Sequence, residues 1–140
     1  NELLGNTTAA ADYFVNVTSG YFIPNFPYRL LSSSNPAPAA ESEPNNSCTT
    51  NPDDYELGTQ MLASINPGCD YDAFKFTVTS LTAVQLTTGG TGDTTMQLID
   101  CATNVVMACD DDGGAGLLSL INGSLIPGNY CVRLRPYGAT

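Results

Sequence analysis

The chain has no histidine. That removes the usual general base, the commonest zinc ligand and every Ser-His or Cys-His nucleophile system. A pair of carboxylates could still do acid–base work, but no second feature supports one, so the sequence reads as non-enzymatic. Positive charge is almost as scarce. Arg29, Lys75, Arg133 and Arg135 are the only cations in 140 residues, against 14 acids, giving a net charge of −10. Nucleic acid is excluded, because binding phosphates needs clustered cations. An anionic membrane surface is excluded for the same reason. No run of 18 apolar residues occurs, so no transmembrane helix is expected and membrane insertion is not. No charged segment leads into an apolar one near the start, so no signal peptide is visible. The chain begins at Asn1, as expected of a mature product whose targeting segment has been removed. Cys48, Cys69, Cys101, Cys109 and Cys131 contain no CxxC pair, which argues against zinc.

What is present points to an oxidising, extracellular setting, secreted or at a cell surface. Five cysteines favour disulfides. Four N-x-S/T triplets offer glycan acceptors at Asn6, Asn16, Asn45 and Asn122. Spacing alone does not fix the pairing of cysteines. Cys48–Cys69 is the expected bridge, worth roughly 3 kcal/mol in the chain-entropy model for a loop of that size. Cys101 and Cys109 flank ATNVVMA, a hairpin candidate, and could bridge across it. Cys131 is then free, or takes one of those two instead. The acidic surplus is either a solvated surface or, in part, a holder of a hard cation.

Three segments follow from composition. Residues 1–35 form an aromatic arm, 36–44 (PAPAAESEP) a linker rich in proline and alanine, and 45–140 an all-β domain. The strand signal is alternation. Phe74, Phe76 and Val78 share one face of DAFKFTVTS. Val84 and Leu86, Met96 and Leu98, Leu118 and Leu120, and Tyr130, Val132 and Leu134 repeat the pattern. ELGTQMLASI is ambiguous and is read as a strand. Asn66-Pro67-Gly68, Gly89-Gly90, Asp112-Gly113-Gly114, Asn122-Gly123 and Pro127-Gly128 mark turns. Short strands at near-regular spacing predict an antiparallel, jelly-roll-like β-sandwich with an extended, strand-forming N-terminal arm.

The order of motifs from Glu41 onward is ESEPNNSC, CDYDAFKFTV, MQLIDCATNVVMACDDD and LIPGNYCVRLRPY. In these, residues 41–137 resemble the bacterial pre-peptidase C-terminal domain, a β-sandwich of secreted proteins. Some members, including the collagen-binding domains of collagenases, bind calcium through the E-x-E-x-N-N/D opening and nearby aspartates. The resemblance implies Glu41, Glu43, Asn45, Asn46, Asp70 and Asp72 as calcium ligands. Carboxylates alternating with amides supply the oxygens that calcium takes. Asn45 cannot serve both as a ligand and as a glycan acceptor. CDDDGGAG lacks the D-x-D-x-D-G order of an EF-hand and reads as an exposed loop, as does Asp53-Asp54.

The arm is the feature this resemblance leaves out. Six of the twelve aromatic residues lie in it: Tyr13, Phe14, Tyr21, Phe22, Phe26 and Tyr28. Together they would bury roughly 900–1,500 Å², more than a soluble monomer leaves open. The arm either folds on its own domain, belongs to a preceding domain, or lies along a neighbouring copy. ADYFVNVTS alternates as a strand, while Pro24 and Pro27 suit an edge or extended segment. The leading expectation is a structural subunit of an extracellular fibre, built head-to-tail by strand addition in trans. The alternative is a secreted accessory module that binds a matrix protein or glycan, with Tyr55, Tyr71 and Tyr137 as contacts.

Overall fold

The computed structural model describes residues 11–19, 39–65 and 70–138; for 11–19 it fixes the strand and its pairing. Among these residues ten strands run in chain order. They are β1 (Ala11–Ser19), β2 (Ala39–Ala40), β3 (Asp53–Asp54), β4 (Gln60–Ile65), β5 (Asp72–Val78), β6 (Thr82–Gly90), β7 (Thr94–Asp100), β8 (Val105–Asp110), β9 (Leu120–Leu125) and β10 (Gly128–Pro136). They form two five-stranded sheets. Sheet A has the order β2-β4-β1-β6-β9 and sheet B the order β3-β5-β10-β7-β8. All pairings are antiparallel except two short ones, β2 with β4 and β3 with β5. Among the described residues there is no helix.

The alternation read from the sequence decides which face packs. Met61, Ala63, Ile65, Val84, Leu86, Ile121 and Leu125 come inward from sheet A. Phe74, Phe76, Val78, Met96, Leu98, Tyr130, Val132 and Leu134 meet them from sheet B, and Phe76 stacks on Tyr130 at 5.8 Å between ring centres. Each fully buried large side chain contributes about 1.5–3 kcal/mol by leaving water, so this interlayer core is what holds the two sheets together. One end of it is polar. Thr88, Thr94 and Ser119 are buried and satisfy one another, with Thr88 Oγ1 2.9 Å from Thr94 Oγ1 and Thr94 Oγ1 3.0 Å from Ser119 Oγ. Buried hydroxyls are tolerated there because each finds a partner.

Two expected turns are strand instead. Gly89-Gly90 closes β6, paired with Phe14 and Tyr13, and Asn122-Gly123 lies inside β9, where Gly123 stands opposite Val84. Leu120 is therefore only half-buried, and Ile121 takes the inward position instead. Sheet A takes in Ala39–Ala40 as an edge and Ala11–Ser19 as an interior strand.

Candidate functional site

β1 lies between β4 and β6, antiparallel to both. Val15 stands opposite Met61 and Thr88, Val17 opposite Leu86, and Tyr13 opposite Ala63 and Gly90. Met61, Ala63, Leu86 and Thr88 are buried. Phe14 and Asn16 stand opposite the alternate set: Leu62 and Gly89, and Gln60 and Thr87. Of the six rings expected at an assembly interface, Tyr13 and Phe14 fall in this strand. Tyr21, Phe22, Phe26 and Tyr28 lie outside the described residues. Take β1 away and sheet A is left as two pieces, β2-β4 and β6-β9, facing each other across a slot one strand wide.

The other wall of β4 carries an acidic cluster. Chain leaving β2 runs to Glu41, whose main-chain N–H donates to Leu62 O (2.9 Å). Its carboxylate turns back and accepts the Ser64 N–H at 2.5 Å. Asn45 is fully buried. Its carbonyl accepts the Ala73 N–H (2.9 Å), bringing it beside Asp72, also fully buried. Asn45 N donates to Glu43 Oε2 (3.0 Å); Asn45 Nδ2 donates to Asp53 Oδ2 (3.1 Å) and Glu41 Oε2 (3.5 Å). Glu41, Glu43 and Asp72 each bring a carboxylate oxygen within 4.8 Å of the others. Burial pushes Glu41 above its ordinary value; the Ser64 N–H pulls it back in part, and the charge on Glu43 pushes it up again.

This donor set suits a hard cation. Carboxylates this close repel one another, and a cation between them would relieve that repulsion. Asn45 Oδ1 is a buried acceptor without a protein partner. Carboxylate and amide oxygens are what calcium takes. Of the six residues expected as ligands, the structure brings together Glu41, Glu43, Asp72 and, through its hydrogen bonds, Asn45. Asn46 and Asp70 turn to each other: with the amide oriented to satisfy both ends, Asn46 donates to Asp70 Oδ1 (3.3 Å) and Tyr71 O (2.9 Å). Asp53, read from sequence as surface, joins the cluster by accepting from Ser42 N (2.8 Å) and Asn45 Nδ2. Nothing local in NPDDYELG signals that role, which comes from the long-range pairing of β3 with β5.

The cysteine pairing differs from expectation. Cys48 bonds Cys131, not Cys69, with 5.8 Å between Cα atoms. Cys131 faces away from Tyr130 and Val132 and packs with Ala73 and Ile99 against Cys48, so it meets the 44–51 loop lying over sheet B. Cys69 lies outside the described residues. Cys101 and Cys109 are free. In the β7–β8 hairpin Cys109 stands opposite Gln97, while Cys101 sits past Asp100. Four residues of strand, about 13 Å, separate the two sites, beyond the reach of a disulfide.

The acceptor sites divide as sharply. Asn45 is buried and committed to its hydrogen bonds, so it cannot carry a glycan in the folded protein. Asn122 is exposed, Asn16 lies in β1, and Asn6 is outside the described residues. Tyr55, expected as a surface contact, is buried, with its hydroxyl donating to Thr59 O. Tyr71 sits 5.7 Å from the Arg133 guanidinium, and Tyr137 is exposed. In CDDDGGAG, Asp110 is structural: its Oδ2 accepts from Gly113 N (2.9 Å) and Leu120 N (2.7 Å). Set against protein-family models, curated proteins and solved structures, the chain matches none.

Proposed function

We propose that this protein is a non-enzymatic structural subunit of an extracellular fibre. Residues 11–19 of one copy fill the slot between β4 and β6 of the next. One observation supports this more than any other: a strand interior to sheet A is tied to the rest of the sandwich through residues 20–38 alone. Fully extended, that connection reaches roughly 63–68 Å, about twice the width of a domain of some 100 residues. Exchange between copies keeps each ladder contact of the sheet and changes only which chain supplies it, the low-cost route of domain swapping. Because the donor and acceptor surfaces differ, the contact is head-to-tail and propagates.

The same proposal takes residues 41–137 as a pre-peptidase C-terminal domain, supported by the order of its motifs, and assigns calcium to the Glu41–Glu43–Asp72 group. The protein purified from its source should show filaments of uniform width in negative stain. A chain shortened to begin at residue 20 should cap growing ends without extending them. Protein that stays monomeric at high concentration with its arm intact refutes the fibre; recovery of that monomer on a matrix protein or glycan would favour an accessory module.

A further inference from the structure

We propose that Asn16 and Asn122 carry N-linked glycans and that the outer face of sheet A is the sugar-bearing face of the molecule. Two independent features converge on it. First, the triplets NVT (16–18) and NGS (122–124) lie in β1 and β9. Both strands pair with β6, Asn16 opposite Thr87 and Asn122 opposite Gln85. Thr87 and Gln85 share the side of β6 turned away from the core, since Val84, Leu86 and Thr88 are the buried positions. The acceptors therefore hold outward register positions, two strands and two residues apart, roughly 12 Å. That separation gives each sugar chain its own footprint on one face.

Second, the face carries little charge in a chain of net charge −10; Asp12 of β1, opposite Ser64, is the acid that shares its register. From Gln60 and Ser64 in β4, through Gln85 and Thr87, to Asn122 and Ser124 in β9, no outward residue with a described side chain bears a charge. Leu62 is 38% exposed among them. A sheet face with so little charge and an exposed leucine invites self-association. Bulky, solubilising sugars cover it. The local geometry at Asn122 also suits the reaction. Gln85 Nε2 donates to Asn122 Oδ1 (3.0 Å), fixing the amide with its nitrogen on the other side. In the transfer, that nitrogen loses a proton to a base of the transferase. It bonds the anomeric carbon of a polyprenyl-phosphate-linked oligosaccharide as the sugar–phosphate C–O bond breaks, and the phosphate leaves on its polyprenyl carrier. The buried Asn45 is the internal contrast: the same triplet chemistry, with no room for a product.

The assignment stands whichever copy supplies β1, so it does not depend on the fibre proposal. Glycopeptide mass mapping of the protein isolated from its producing cell tests it. Sugar mass is expected on the peptides containing Asn16 and Asn122, with the Asn45 peptide at its unmodified mass. In that cell, Ser124→Ala should return the Asn122 peptide to its unmodified mass and Ser124→Thr should keep the sugar, neither shifting the melting temperature by more than a degree or two. Absence of sugar from either Asn16 or Asn122, or its presence on Asn45, overturns the proposal.

Discussion

Stripping divalent cations from the protein at pH 7 should lower its melting temperature, and the size of the drop follows from the geometry. Glu41, Glu43 and Asp72 place oxygens within 4.8 Å of one another. At an effective dielectric constant of 20, two unit charges at that range repel by about 3 kcal/mol, less where Glu43 meets water. The metal-free fold carries this load whenever the group is ionised. Burial raises the Glu41 pKa above its unfolded value of 4.5. The folded state therefore binds that proton more tightly than the unfolded chain. The resulting stability is fully present below the unfolded pKa and is lost as pH rises through the folded one. Asp93 is raised by burial and by Asp112 and Asp111, and it adds in the same direction. In chelator, then, the protein should melt higher near pH 4.5 than at pH 7. Calcium reverses the order by supplying the missing positive charge. At a hundred times its dissociation constant it adds about 2.7 kcal/mol, or about 10 °C for a domain of this size. Scanning calorimetry in chelator and in millimolar calcium, at both pH values, reads the effect. Asp72→Asn should abolish the calcium shift while leaving the metal-free protein at least as stable at pH 7. Identical melting temperatures with and without calcium at pH 7 would refute the reasoning.

Breaking Cys48–Cys131 by the double change to serine releases a loop closed over 83 residues. The chain-entropy model puts the loss at about 4.5 kcal/mol, so a fall in melting temperature of more than about 10 °C is expected, and a smaller one would mean the bridge constrains little. Gly114→Ala should cost about 1–3 kcal/mol, because the new Cβ would sit 2.6 Å from Leu118 O, a backbone atom that cannot swing aside. Gly116→Ala meets nothing within 4 Å and is strained only by its φ of +70°. Chemical denaturation of the two variants should therefore rank Gly114→Ala as the more damaging.

The fold class was legible because alternation is a local property. Each of Phe74, Phe76, Met96, Leu98, Tyr130, Val132 and Leu134 declares its face through its immediate neighbours, and the core is built from those faces. What failed was information carried by pairing across distance. Asn122-Gly123 has the composition of a turn, yet its ladder with Val84 and Gln85 keeps it extended. Cys48 finds Cys131 because a loop crosses the outer face of β10, a route that spacing does not encode. The acidic group divides in the same way. Glu41, Glu43 and Asn45 are close in sequence, and their grouping with Asp72 was expected. Asp53 joins through the β3–β5 pairing, and Asn46 leaves the group because Asp70 and the Tyr71 carbonyl hold it.

β4 is where the two features of the molecule meet. Along one edge it pairs with β1; along the other it takes Glu41, through Leu62 O and the Ser64 N–H. β1 is first in the chain, but its partners come much later, so its place exists only after β4 and β6 are set side by side. Contacts that span so much sequence form late, because loop closure must precede them. Sheet closure thus ends with insertion of β1 between strands already in place, and a strand that arrives last can arrive from another chain. The connection decides between the two. A tethered strand meets its own slot at an effective concentration set by the length of the tether, and a neighbour wins only by offering more than the ladder itself. A cation drawn onto Glu41 competes with the Ser64 N–H for the same carboxylate, and so acts on the wall of that slot. On this reading calcium should alter how readily strands exchange as well as how high the protein melts.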